Sequence, residues 1–113
     1  MSAPPAVSVE EARALIREWV VFLDAESPDV WEAKNGKTRH VSQNAVPPFL
    51  RTLAKDAPLV VYTSHPQLDS SALVANTFRQ QGYTNVKALS GGAGAWRQLG
   101  FQDDRGHVFP SAW

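Results

Sequence analysis

A chain of 113 residues, 43% of them hydrophobic, is long enough to bury a real core and too short to divide, so a single domain over 1–113 is expected. Eleven Lys and Arg balance eleven Asp and Glu, a formal charge of zero that implies neither a nucleic-acid-binding surface nor an acidic interaction tail. The cysteine count is zero, which removes disulfides, thiolate metal sites and every thiol-based mechanism together.

The longest apolar runs, Trp19 to Leu23 and Leu59 to Tyr62, fall far short of the ~20 residues a membrane helix needs. The start, Met-Ser-Ala-Pro-Pro, lacks the basic-then-apolar layout of a secretory signal. A soluble, cytoplasmic protein without membrane or nucleic-acid partners is the expectation.

Ser8-Val9-Glu10-Glu11 fits a capping box, followed by Ala12, Leu15, Ile16 and Trp19 at helical spacing, which predicts a first helix over about residues 9 to 18. Val20-Val21-Phe22-Leu23 is continuous rather than alternating, as in a strand covered on both faces, and Asp24 ends it. Ser27-Pro28-Asp29 reads as the start of a short helix that turns Val30 and Trp31 inward. Lys34 to Thr38 reads as an exposed loop, Arg39 to Val46 as a short strand, and Pro47-Pro48 as the lead into a short amphipathic helix bearing Phe49, Leu50, Leu53 and Ala54.

The second half is more regular. Leu59 to Tyr62 is a strand. The segment from about Asp69 to Gln81 is a helix with Val74, Ala75 and Phe78 on one face, and Gly82 stops it. Asn85 to Leu89 is a strand, Gly91-Gly92 a turn, and Ala93 to Leu99 a final helix, with Trp96 in the core. The alternation of strand and helix predicts an α/β fold, a mostly parallel sheet with helices on both faces. Only the first seven residues and the tail after Gly100 read as loosely attached. In that tail Phe101, Phe109 and Trp113 form either an exposed apolar contact or a segment folded back over the body.

The junction after Tyr62 is where chemistry is expected. A strand stops at Thr63, crosses Ser64, His65, Pro66, Gln67 and Leu68, and enters a helix near Asp69 or Ser70. In α/β proteins, loop amides and the unpaired N–H groups of a helix start converge outside a strand's C-terminal end. His40, His65 and His107 have no metal-ligand spacing, so neither metal nor cofactor is predicted. Gly91-Gly92 lacks the spacing and the lysine of a phosphate-binding loop and reads as a structural turn.

Four segments taken together, Asp24 to Trp31, Leu59 to Thr63, Gly82-Tyr83-Thr84-Asn85-Val86, and Leu89-Ser90-Gly91-Gly92-Ala93-Gly94-Ala95-Trp96, resemble the successive motifs of rhodanese-like domains over about residues 8 to 101. The resemblance implies a three-layer sandwich whose catalytic cysteine directly follows the central strand. Here that position is Thr63, with Ser64 to Leu68 as the surrounding loop. A family thiolate works because it is polarizable and accessible, with a free pKa of about 8.5 that a helix N-terminus lowers further. A threonine hydroxyl is a far weaker acid, crowded by its own methyl, and has no stable sulfur-carrying form. Two further departures point the same way. Glu26 stands where the family often has arginine, and no position from Ser64 to Leu68 carries an oxyanion-holding arginine. Pro66 has no N–H to donate, and Asp69 at the helix start competes with an incoming anion for the positive end of the dipole.

Classical sulfur transfer is therefore expected to be absent, and three roles remain open. One is a non-catalytic binding or regulatory module for a protein partner or a second copy of itself. The second is a small-anion or sulfur-metabolite sensing pocket at the Ser64 to Ser70 loop, and the binding residues expected at this junction are Thr63, Ser64, His65, Pro66, Gln67, Leu68, Asp69 and Ser70. The third is an enzyme of unfamiliar chemistry at Thr63, for which His65 is the only base nearby in sequence. Thr63 is read as a hydroxyl that caps its loop, His65 as a solvated loop residue, and Asp24 and Glu26 as supports of the loop.

Overall fold

The computed structural model describes residues 4–27, 29–65, 67, 69–102 and 108–109. A six-stranded sheet runs in the order β1-β6-β5-β2-β3-β4, built from β1 (Ala6–Val7), β2 (Trp19–Asp24), β3 (Val30–Lys34), β4 (Lys37–Val41), β5 (Leu59–Tyr62) and β6 (Val86–Leu89). The pairs β1/β6, β6/β5 and β5/β2 are parallel, while β2/β3 and β3/β4 are antiparallel. Four helices cover it: α1 (Val9–Glu18), α2 (Val46–Thr52), α3 (Ser71–Gln80) and α4 (Gly92–Leu99). A second, two-stranded sheet pairs β7 (Phe101–Gln102) with β8 (Val108–Phe109). Among the described residues no helix is long and apolar enough to cross a membrane.

The period-2 geometry of strands divides the core in two. Val20 and Phe22 of β2, Trp31 and Ala33 of β3, and Val60 and Tyr62 of β5 pack with Trp96 and Ala95 under α1 and α4. Val21 and Leu23, Val30, and Leu59 and Val61 face the other way, under Ala75, Val74 and Phe78 of α3 and Phe49 and Leu50 of α2. Three layers result, with both faces of the sheet covered. Trp96 is 2% exposed and stacks on Tyr62 at 3.6 Å between ring centroids, with Phe22 and Trp31 tilted against it at 5.9 and 6.2 Å.

The ends of the helices follow local chemistry. Ser8 and Glu11 complete the capping box of α1 from both sides, the Ser8 hydroxyl accepting from the Glu11 N–H and Glu11 Oε1 from the Ser8 N–H. Gly82, at φ 102°, takes the left-handed turn that follows α3. Gly91, at φ 101°, caps the start of α4, and a Cβ there would meet that of Ala95 at 2.9 Å.

Four expectations from the sequence are corrected. Val30 and Trp31 begin a strand and not a helix: they pair with Leu23 and Phe22 across β2, and Val30, Trp31 and Ala33 are all buried. Tertiary pairing of β-branched and aromatic residues outweighs the Ser-Pro-Asp helix-start pattern. Lys34 to Thr38 is not an open loop. Asn35 and Gly36, at φ 55° and 82°, form a two-residue hairpin that pairs Lys34 with Lys37. The first seven residues are not all loose, since Ala6 and Val7 add a parallel strand to β6 and Val7 is buried. The strand expected to reach Val46 ends at Val41, and a 3-10 turn, Gln43–Ala45, leads into α2. The expectations for Phe109 and Trp113 as packing side chains, and for Phe101 with them, lie outside the described side chains.

Candidate functional site

The parallel register of β2 and β5 places Asp24 opposite Tyr62, so the segments leaving the two strands, 25–29 and 63–70, start side by side. The Ala25 N–H donates to the Tyr62 carbonyl at 2.8 Å and ties the two exits together. Residues 37 and 38 positions apart in the sequence thereby become spatial neighbours.

Asp24 organises the cluster. The Glu26 N–H donates to its Oδ1 at 2.9 Å, and the hydroxyls of Ser27 and Ser64 donate to its Oδ2 at 3.0 and 2.5 Å. Its burial, to 4% exposure, pushes the carboxyl above the ordinary value of 3.8. The donors from Ser64, Glu26 and Ser27 pull the other way, and the Glu26 charge adds to the rise. Tyr62 beneath it is held protonated by the same burial and by the negative charges of Asp24 and Asp29.

Thr63 is 1% exposed, and its hydroxyl donates to Glu26 Oε1 at 2.5 Å. The other carboxylate oxygen of Glu26 accepts the Ser70 N–H at 3.4 Å, immediately before α3. Glu26 thus links three segments: its own backbone is fixed on Asp24, and its side chain lies between the residue after β5 and the start of α3. The sequence placed Glu26 beside the loop but did not identify it as the partner of Thr63. The only available signal was its position two residues past Asp24, because the direction of its side chain depends on the strand register.

His65, Gln67 and Asp69, the other described residues of the loop, make their hydrogen bonds outside this cluster. His65 is exposed, and its Nδ1 accepts the Gln67 N–H at 3.1 Å, so the ring is bound to its own loop rather than facing Thr63 as a base. Gln67 is exposed. Asp69, also exposed, accepts from the Ser71 N–H at 3.2 Å and the buried Ser71 hydroxyl at 2.6 Å, which directs its carboxylate to the first residue of α3. Pro66 and Leu68 lie outside the described residues. His40 sits on β4 against Asp29, 3.2 Å from Nε2 to Oδ1, and among the described residues no group of three His, Asp or Glu could hold a metal. An open cleft of about 400 Å³ lies at the opposite end of β2, lined by Arg13, Ile16, Arg17 and Thr38 beside the β3–β4 turn. Its lining offers no carboxylate, imidazole or thiol, and Arg13 is already engaged with the Gln98 carbonyl at 2.7 Å.

The chemistry open to this cluster is narrow. Thr63 has a carboxylate within reach, but a carboxylate is a weak base for an alcohol, and a hydroxyl that is 1% exposed is not presented to a substrate. The polar groups around position 63 are spent on one another.

The rhodanese-like domain family model matches residues 8–99. The thiosulfate sulfurtransferase GlpE of Pseudomonas aeruginosa strain LESB58 is 32% identical over 94 residues, covering 82% of this chain and 84% of that protein. The proteins of the same name from Pseudomonas entomophila strain L48 and Tolumonas auensis are 34% and 29% identical over 99 and 112 residues. They cover 86% and 97% of this chain and 88% and 95% of their own lengths. A crystal structure of a thiosulfate sulfurtransferase from Pseudomonas aeruginosa superposes with a TM-score of 0.54 at 20% identity over 87% of this chain, which is 19% of that longer one. It shares the fold.

Proposed function

The chain belongs to the rhodanese-like domain family, and from that premise we propose that it is a module of the sulfurtransferase fold that carries out no thiol-based sulfur transfer and acts by binding a protein partner or a second copy of itself. The observation that carries this reading is Thr63. It stands directly after the central strand with a hydroxyl in place of a thiol, buried and donating to Glu26. Transfer of a sulfane sulfur requires an atom that attacks the donor and then holds the sulfur as a stable persulfide. A neutral hydroxyl does neither, and the chain has no cysteine elsewhere to supply the missing thiolate.

What favours a binding role is the contrast between framework and centre. Both cores, the covered sheet and the Gly91-Gly92 turn are intact, while the centre's polar groups are satisfied internally. The anion-sensing alternative is less favoured by the same geometry, since a carboxylate already lies in the loop. The proposal places the module in the cytoplasm, where a fold held by two apolar cores and no disulfide needs no oxidising compartment.

The test is a thiosulfate-to-cyanide transfer assay on the purified chain beside Thr63→Ala. Both should give the blank rate, and turnover that disappears with the substitution at residue 63 would overturn the proposal. Light scattering over a concentration series reads the self-association arm, with a mass of twice 12.4 kDa as its positive outcome.

A further inference from the structure

We propose that Glu26 is an intramolecular occupant of the β5–α3 loop, an internal carboxylate that fills the place an external oxyanion would take and closes position 63 to solvent. The inference rests on reading that loop as the family's catalytic loop, but not on the partner-binding role.

A glutamate on an exposed connection ordinarily extends into water, where its charge is solvated without cost. Glu26 turns inward, next to Asp24, and its charge is one of the influences that raise that buried carboxyl. Two carboxylates side by side repel, so something must hold the second one there. The structure supplies the donors: the Thr63 hydroxyl to Oε1 at 2.5 Å and the Ser70 N–H to Oε2 at 3.4 Å. Each oxygen is bound by a different segment, one at the strand end and one at the helix start. A bridging oxyanion would be held in the same way, by a side-chain donor and a backbone amide just ahead of a ten-residue helix. Rigidity comes from behind, because the Glu26 N–H is anchored on Asp24 Oδ1. Thr63, at the mouth of a loop, is 1% exposed, in keeping with a cover over it.

The absence of cysteine makes this testable with a single thiol. Thr63→Cys is prepared alone, with Glu26→Ala, and with Glu26→Gln, and each is treated with neutral iodoacetamide and with an anionic and a cationic methanethiosulfonate. Alone, the thiol should react far more slowly than glutathione. Glu26→Ala should raise the iodoacetamide rate by about tenfold or more, the factor expected when a charge-assisted hydrogen bond no longer has to open first. Glu26→Gln keeps the bulk and loses the charge, so it should raise the anionic reagent's rate more than the cationic one's. A thiol that reacts like glutathione with Glu26 present, or a rate unchanged by Glu26→Ala, would overturn the proposal.

A second measurement needs no change at residue 63. Sulfate is titrated into the natural chain and into Glu26→Ala while the Thr63 and Ser70 amide resonances are followed. Saturable shifts in Glu26→Ala alone support the occupant. Shifts in the natural chain, or in neither, overturn it. None of these readouts involves turnover or a partner, so sulfur transfer by the natural chain would defeat the functional reading separately.

Discussion

Removing the Asp24 carboxylate is the perturbation that reports most directly on how the two connections hold together. Asp24→Ala deletes the acceptor for three donors: the Ser64 hydroxyl, the Ser27 hydroxyl and the Glu26 N–H. Ser27 is exposed and lies 3.3 Å from Asp29 Oδ2, so its hydroxyl finds water or that carboxylate again. The other two donors are part-buried. At roughly 1 kcal/mol net for each lost bond, the cost is about 2 kcal/mol, which at this chain length lowers the melting temperature by about 8 °C. An alanine variant that melts within about 2 °C of the natural chain would mean that the cluster contributes nothing net.

Asp24→Asn separates charge from shape. The folded carboxyl has its pKa raised above 3.8, chiefly by burial. An acid that holds its proton more tightly in the fold than in the unfolded chain gives a folded state with more bound protons between the two values. Stability is then lost as pH rises from the unfolded value through the folded one, and the loss stays constant above it. Asparagine does not titrate. Urea unfolding of both proteins from below pH 3.8 to neutrality should therefore show the natural chain losing ground to Asp24→Asn as pH rises through that window, then a constant offset. A difference independent of pH throughout would refute a buried, proton-retaining Asp24.

Two further expectations concern the frame. Gly91→Ala combines a left-handed backbone with a Cβ contact of 2.9 Å to Ala95, whereas Gly82→Ala, at a matching φ of 102°, meets open space. Both should cost about 1–3 kcal/mol through the backbone, and calorimetry should rank Gly91→Ala as the worse. Trp96→Ala should cost about 3–5 kcal/mol, a large part of the stability of a small domain, so a denaturant midpoint near the natural one would contradict its place against Tyr62.

The elements with enough residues to establish a period were legible in the sequence. α1 carries its start signal in Ser8 and Glu11 and its stripe in Ala12, Leu15 and Ile16, while β2 and β5 are unbroken apolar runs between polar stops. β1 was not legible, since two residues make no pattern and Ala6-Val7 becomes a strand only because β6 is beside it. Asn35-Gly36 is a strong two-residue turn signal for the β3–β4 hairpin, although the polar stretch around it reads as an exposed loop. At the site, the sequence located Thr63, Asp24 and the loop from strand ends and motif order. It could not supply the Glu26–Thr63 bond, which spans 37 residues and exists only because the β2–β5 register sets two strand exits level.

That same level alignment bears on how the molecule assembles. The bonds from Ser64 to Asp24, from Thr63 to Glu26 and from Ser70 to Glu26 join residues 40, 37 and 44 positions apart, so none can form while the intervening chain is still free. Closing that span is an entropic cost repaid only when β5 docks on β2, a non-local parallel pairing of the slow-forming kind. The polar centre therefore cannot precede the sheet that gathers it: its bonds close only once β5 has docked on β2.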